Sequence, residues 1–344
     1  MTIPTNVQAM EAAARELISP VAYAYYSAGS FSEWSVVENV TAWSKWYVRP
    51  RMGVNVQKID TSTTILGTPI SMPVFTAPCG FNRLAHDDGE FGVARACAAA
   101  GTVQVLSTAT GLDPKVVADA SPAPKWFQLY ADNDSAVTDE RVQRAADAGF
   151  QAIVITVDTP TLGVRYQGLA DVVEFLDELT RKEVTNPVLT FCDRLDWTEL
   201  ERIASHTKLP IVLKGILHPD DARRAPDHGA GAVIVSNHGG RQMDGSVPPA
   251  LALPDVVEAA DGRIEVYVDG GVRSGVDVLR ALALGARACL IGRPYLWALA
   301  IAGEDGVREL LERFRAELAN AMALSGQTDA KAIDPSIVVP ASKY

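Results

Sequence analysis

Apolar and polar positions change rhythm along this chain. From residue 71 onwards, short runs of Val, Ile, Leu and Ala recur without the every-second-residue polar interruption of a half-exposed strand. Eight such runs are predicted as strands: 73–77, 103–107, 125–130, 152–157, 210–214, 232–236, 265–269 and 288–291. Runs apolar throughout are what parallel strands need when both faces are covered. Ala-rich helical stretches lie between them, at 89–100, 139–148, 219–228 and 274–284. Eight strand–helix repeats favour a closed barrel over an open doubly wound sheet. The pattern therefore predicts an α/β fold, a (β/α)8 or TIM barrel.

The flanks read differently. Segments 7–17, 19–27 and 32–45 are predicted as short helices, with Pro20 near a helix start and Ser32 as the N-cap of the third. Segment 58–70 reads as a short hairpin broken by Gly67 and Pro69. A wide gap, 159–209, separates the fourth and fifth strands, so a helix and a loop insertion are expected there, on the C-terminal face of the barrel. The tail, 327–344, has weak periodicity and is expected to pack loosely over the surface. The organisation predicted is one domain, 1–344: helices and hairpin to 70, barrel from 71 to 326, then the tail.

Composition narrows the function. The chain has 344 residues, 48% of them hydrophobic, and 31 Lys plus Arg against 42 Asp plus Glu, a net charge of −11. That acidity argues against a nucleic-acid partner. It leaves open a small anionic substrate, which local Arg and Lys would bind. Cys79, Cys97, Cys192 and Cys289 show no CxxC and no metal-ligand spacing, so reduced thiols and no metal site are expected. No window of 18 apolar residues occurs, and the start lacks a basic region followed by an apolar core. A cytoplasmic protein without membrane association is the expectation.

Polar residues gather where the predicted strands end. Gln128 and Tyr130 end the third, Thr156 and Asp158 the fourth with Arg165 just beyond, and Lys214 the fifth. Ser236, Asn237, His238 and Arg241 follow the sixth, Asp269, Gly270, Gly271 and Arg273 the seventh, and Gly292 and Arg293 the eighth. A polar residue just past a barrel strand faces the substrate rather than the core. The glycines of the last two loops let backbone N–H groups approach a ligand closely, and barrels commonly hold a phosphate there. Arg273 and Arg293 would add charge-assisted contacts; two ordinary glycine turns are the plainer alternative.

His238 is the best candidate for a catalytic base. Of five histidines it alone follows a barrel strand within a Gly-rich loop, whereas His86, His206, His218 and His228 fall in helical or helix-start contexts. A base needs a partner to orient it and tune its pKa, and Asp158 is the natural carboxylate. Arg165 and Arg241 are available to clamp a carboxylate bidentately. Lys214 would stabilise negative charge developing on a cofactor ring, or else form an ion pair at the barrel mouth.

At this point the chain resembles the FMN-dependent 2-hydroxy-acid oxidising enzymes, which include glycolate oxidase, lactate oxidase, lactate monooxygenase and mandelate dehydrogenase. The strings that carry the resemblance are SNHGGRQMDG from Ser236 to Gly245, VDGGVRSGVDVLRALALGA and IGRP. TAP at Thr76–Pro78, WFQLY at Trp126–Tyr130, TVDTPTLGVR at Thr156–Arg165 and VLKGI at Val212–Ile216 agree with them. The resemblance spans nearly the whole chain. It implies noncovalent FMN and oxidation of an (S)-2-hydroxy acid to the 2-keto acid, with oxygen or another electron acceptor taking the electrons. No GxGxxG opens a βαβ unit, so FAD is not expected.

The resemblance also implies roles. Tyr25 and Tyr130 would hydrogen-bond the substrate, Arg165 and Arg241 bind its carboxylate, and His238, oriented by Asp158, take the proton. Lys214 would sit at the N1/O2 edge of the flavin. Ala77, Pro78, Ser107, Gln128 and Thr156 would line the isoalloxazine, with Ser236 in the same cofactor set. Asp269, Gly271, Arg273, Gly292 and Arg293 would hold the ribityl phosphate. Relatives are often tetramers, so a homo-oligomer, a homotetramer, is expected by analogy.

Two departures stand out. Beyond Arg165 the chain reads YQGLADVVEFLDEL rather than the family's acidic residue and Asn/Arg-Phe pattern, and the loop that normally closes the active site is shortened. Gly80 stands where glycolate and lactate oxidases carry Ala. APCGFNRL and LSTAT look more like mandelate dehydrogenase; lactate monooxygenase also carries Gly at this position. Gly80 is therefore expected to leave space for a bulky or aromatic, mandelate-like substrate. Lactate monooxygenase-like oxidative decarboxylation, or a biosynthetic flavin oxidase with a non-standard substrate, is the alternative. A phosphate-binding isomerase barrel and a barrel that binds without catalysis are the more distant rivals.

Overall fold

The computed structural model describes residues 2–166, 172–182 and 192–344. Helices α1 (Val7–Arg15) and α2 (Pro20–Ser27) begin where their own sequence dictates. Asn6 accepts the N–H of Ala9, Ser19 accepts that of Ala22, and Pro20 occupies the first helical position. Helix α3 (Trp34–Thr41) does not. Its N-cap is Glu33, at φ +62° and without a side-chain cap, so Ser32 is not the N-cap expected. Ser32 instead donates its N–H and Oγ–H to Asp244 Oδ2 at 3.1 and 2.6 Å, and Ser35 N–H donates to Oδ1 at 2.8 Å. A carboxylate from the loop after the sixth barrel strand, 209 positions from Ser35, caps this helix.

Strand β1 (Trp46–Val48) follows, then the hairpin of β2 (Thr63–Ile65) and β3 (Thr68–Ile70). Its turn residues Leu66 and Gly67 both have positive φ, +44° and +77°, as a type I′ turn requires. The barrel then runs through β4 (Val74–Thr76), β5 (Gln104–Ser107), β6 (Lys125–Leu129), β7 (Ile153–Thr156), β8 (Ile211–Ile216), β9 (Ala230–Val235), β10 (Glu265–Val268) and β11 (Ala288–Ile291). All eight predicted strands are present. They close in the order β10-β11-β4-β5-β6-β7-β8-β9, every neighbouring pair parallel.

Helices α4 (Gly89–Ala100), α5 (Pro114–Asp119), α6 (Ser135–Asp147), α7 (Val172–Arg181), α8 (Trp197–Ser205), α9 (Pro219–Arg224), α10 (Pro249–Ala260), α11 (Gly275–Ala283) and α12 (Arg293–Ser325) surround it. The insertion expected between the fourth and fifth strands thus includes α7 and α8. Its remainder, 167–171 and 183–191, lies outside the described residues.

Inside the barrel, Phe75, Trp126 and Tyr267 pack edge to face or tilted, with centroids 5.2 to 5.7 Å apart. Ile65 and Ile70 of the hairpin join that cluster and plug the barrel's N-terminal end. The polar end is thereby left to the opposite mouth.

The tail does not pack loosely. Strand β12 (Val338–Pro340) pairs antiparallel with β1, in the register Trp46↔Pro340 and Val48↔Val338, and Ile337 is fully buried. Its partner strand lies near the start of the chain, and long-range pairing leaves no local periodicity to read. Among the described residues, no helix is long and apolar enough to cross a membrane.

Candidate active site

The C-terminal mouth of the barrel, roofed by α2, α3 and α7, encloses a cavity of about 320 Å³. Fifteen predicted residues line it: Tyr25, Ala77, Pro78, Gly80, Ser107, Tyr130, Arg165, Lys214, His238, Arg241, Asp269, Gly271, Arg273, Gly292 and Arg293. The other four stand one contact behind. Gln128 accepts Ser107 Oγ–H at 3.0 Å and donates to Thr156 Oγ1 at 2.9 Å. Asp158 bonds His238, and Ser236 bonds both Lys214 and His238.

His238 is fixed twice over. Its backbone sits at φ +58°, a left-handed conformation rare outside glycine, and Ser236 Oγ accepts its N–H at 3.0 Å. Its Nδ1 lies 3.0 Å from Asp158 Oδ1. With the proton on Nδ1, donated to the carboxylate, Nε2 presents a lone pair. Burial pushes the imidazole pKa down, outweighing the pull of Asp158, so the ring is neutral and basic. Burial alone would raise Asp158, but His238 and Lys214 hold it below the usual carboxylate value.

Two arginines face each other across the mouth. Arg241 Nη1 donates to the Tyr25 and Ala28 carbonyls at 2.7 and 2.8 Å, and its guanidinium lies 5.1 Å from the Tyr25 ring centroid. Arg165 Nη1 reaches the Gly29 carbonyl at 3.4 Å. Burial, then the charge of Arg241, brings the Arg165 pKa down to about 10. Among the described residues, neither makes a salt bridge with a carboxylate. Two half-buried like charges without a salt bridge among the described residues make a site for an anion.

The far end of the cavity is also cationic. Arg273 and Arg293 both have lowered pKa values, chiefly from burial, Arg293 to about 9. Arg293 commits its side chain to the carbonyls of Tyr26, Ala28 and Gly239, at 3.0, 3.1 and 2.9 Å. It pins the end of α2 to the His238 loop. Lys214, buried, donates to Ser236 Oγ at 3.0 Å and lies 3.5 Å from Asp269 Oδ2. The barrel-mouth ion pair is real, and Lys214 lines the cavity as well.

Gly80 departs from expectation. A Cβ there would stand 2.8 Å from the Ala109 carbonyl oxygen, 3.0 Å from Ala109 Cβ and 3.2 Å from Tyr25 Oη. Gly80 lines the cavity, but its Cβ direction is not vacant, because the Ala109 loop and the Tyr25 hydroxyl border it. Sequence reasoning also missed Asn39, Phe81, Ala109, Phe175 and Leu176, all lining the cavity. Asn39 exchanges amide hydrogen bonds with Asn237 at 2.8 and 2.7 Å. Nothing local in its helix signals that. Phe175 was readable, as the apolar face of VVEFLDEL.

Comparison with known proteins settles the relationship. The FMN-dependent dehydrogenase family matches residues 14–340. The chain belongs to that family. Glycolate oxidase 3 of Arabidopsis thaliana is 42% identical over 339 residues, covering 94% of this chain and 92% of that protein. L-lactate oxidase of a Nostoc species is 40% identical over 365 residues, covering 97% and 98%. The crystal structure of mandelate oxidase with (S)-2-phenylpropionate superposes with a TM-score of 0.86 at 40% identity, covering 98% of each chain.

The FMN-dependent dehydrogenase residues fit their cofactor. Asp269 Oδ1 is buried and has no hydrogen-bond partner among the described residues, an acceptor suited to the flavin's ribityl hydroxyls. Arg273 and Arg293 make no salt bridge among the described residues, as a phosphate-binding pair should not.

Proposed function

We propose that this FMN-dependent 2-hydroxy-acid oxidising enzyme acts on an (S)-2-hydroxy acid with a bulky or aromatic side chain, using His238 as the base. The observation that carries the reading is one cavity lined both by His238, held 3.0 Å from Asp158 behind it, and by two arginines that make no salt bridge among the described residues. Bound FMN supplies the two-electron acceptor. Asp269, Gly271, Arg273, Gly292 and Arg293 would hold its phosphate and ribityl chain, and Ala77, Pro78, Ser107, Gln128 and Thr156 would flank its ring.

In this reading Arg165 and Arg241 bind the substrate carboxylate. Burial raises the phenol pKa values of Tyr25 and Tyr130, so both remain hydrogen-bond donors to substrate oxygens. His238 Nε2 receives the hydroxyl proton, and the imidazolium formed is stabilised by Asp158. Asp269 and Asp158 outweigh burial and keep Lys214 charged at the cavity wall. The aromatic preference is supported by the apolar lining of Phe81, Ala109, Leu162, Phe175 and Leu176, and by likeness to mandelate oxidase.

The test is anaerobic bleaching of the purified yellow protein by mandelate, lactate and glycolate. Mandelate is expected to act fastest. Failure of every 2-hydroxy acid to bleach the flavin would refute the function; glycolate acting fastest would refute the aromatic preference alone.

Gly80→Ala has a different expected outcome from that of a vacated space. The added methyl presses on the Ala109 backbone and the Tyr25 hydroxyl. Overpacking of this kind costs about 1–3 kcal/mol of stability, so the variant should melt lower than wild type, and any fall in kcat/KM should be alike for mandelate and lactate. A shifted ratio with little overall loss would contradict this.

A further inference from the structure

We propose that Phe175 is a positioning residue that fixes Tyr25 against Arg241, so that this one ring of helix α7 sets how tightly the substrate carboxylate is held. The inference rests on the function proposed above and adds a role for the segment following Arg165.

Helix α7 presents one apolar edge to the molecule. Phe175 and Leu179 are 3% and 2% exposed, whereas Glu174, Asp177, Thr180 and Arg181 face solvent. At its end Lys182 Nζ lies 3.0 Å from Asp87 Oδ1, an exposed pair of the kind that contributes little. Phe175 and Leu179 therefore carry the docking of the helix.

Phe175 meets Tyr25 face on, with centroids 5.0 Å apart and planes 30° apart. It meets Phe81 edge on at 5.8 Å and 72°, and Phe81 lies 5.6 Å from Tyr25. The Arg241 guanidinium also stands over the Tyr25 ring, at 5.1 Å. Phe175 and Arg241 therefore both pack on the one Tyr25 ring. Tyr25 thus links a substrate-binding cation to the helix. Phe175 brings the insertion between β7 and β8 against the Tyr25 ring.

A residue acting through the bound state of the carboxylate should change affinity more than the rate at saturation. The experiment uses holoenzyme in four forms: wild type, Phe175→Ala, Phe175→Tyr and Leu179→Ala. Benzoylformate, a 2-keto acid, is titrated by its effect on the flavin spectrum, and mandelate reduction is followed anaerobically to saturation. Phe175→Ala should raise the benzoylformate Kd and the half-saturating mandelate concentration about tenfold, with the saturating rate within about twofold of wild type. Phe175→Tyr should restore both constants. Leu179→Ala, which loosens α7 without touching Tyr25, should leave the Kd within about twofold. An unchanged Kd in Phe175→Ala overturns the inference. So does an equal loss in Leu179→Ala, which would assign the effect to helix docking rather than to the ring. If the wild type itself is not reduced by mandelate or any other 2-hydroxy acid, the proposed function fails and takes the inference with it.

Discussion

His238→Ala is expected to retain FMN and to lose reduction of the flavin by hydroxy acid by about 10²–10⁴-fold. The side chain is an imidazole in the cavity whose orientation is fixed from both sides, by Asp158 Oδ1 at 3.0 Å and by a backbone at φ +58°. Its removal leaves the arginines free to bind substrate, so substrate affinity should change less than rate. Cofactor content is measured from the released flavin, and rate by anaerobic stopped flow. Reduction within about tenfold of wild type would assign the proton to another group.

The wild-type pH profile should agree. Burial lowers the folded imidazole pKa below its ordinary 6.5, so the base stays competent on the acid side of that value. The acid limb of kcat/KM should therefore have its midpoint below 6.5. The stability sign follows from the same shift. Protonation is easier in the unfolded chain, so the contribution is present above 6.5 and is lost as pH falls towards the folded value.

Gly271→Ala should damage both the fold of the mouth and its grip on FMN. Gly271 has φ +81°, and a Cβ there would lie 1.7 Å from the Asn39 carbonyl oxygen. That atom belongs to α3, whose Asn39 side chain pairs with Asn237 beside His238. The methyl can be housed only by lifting α3 from the barrel. The left-handed backbone costs a non-glycine residue roughly 1–2 kcal/mol, and overpacking adds about 1–3 kcal/mol. A lower Tm and weaker FMN retention are the expected readings, taken by thermal melts with and without added FMN. A variant that melts with wild type and keeps its flavin would contradict the close approach.

The barrel was legible because each buried strand is written locally, in runs such as IVIT and AVIV bounded by polar ends. Much of the site was legible for the same reason, since its residues follow strands in sequence. What escaped shares one physical cause. The cap of α3 is Asp244, the partner of β1 is β12, and the partner of Asn39 is Asn237. None of these contacts leaves a trace within a local window. Gly80 was misjudged because its environment is set by Ala109 and Tyr25, from two other loops. The absence of a side chain was read as space, when it reports that backbone already fills it.

The grip of Arg293 on the Tyr26 carbonyl joins residues 267 positions apart. Synthesis at roughly 5–20 residues per second separates their emergence by roughly 10 to 50 seconds. For that interval the first helices exist without the loops that receive them. The barrel strands can begin to pair while Tyr25 and Asn39 wait. The molecule therefore becomes competent to hold its flavin only once Arg293 has been made, and α2 finds its final place only then.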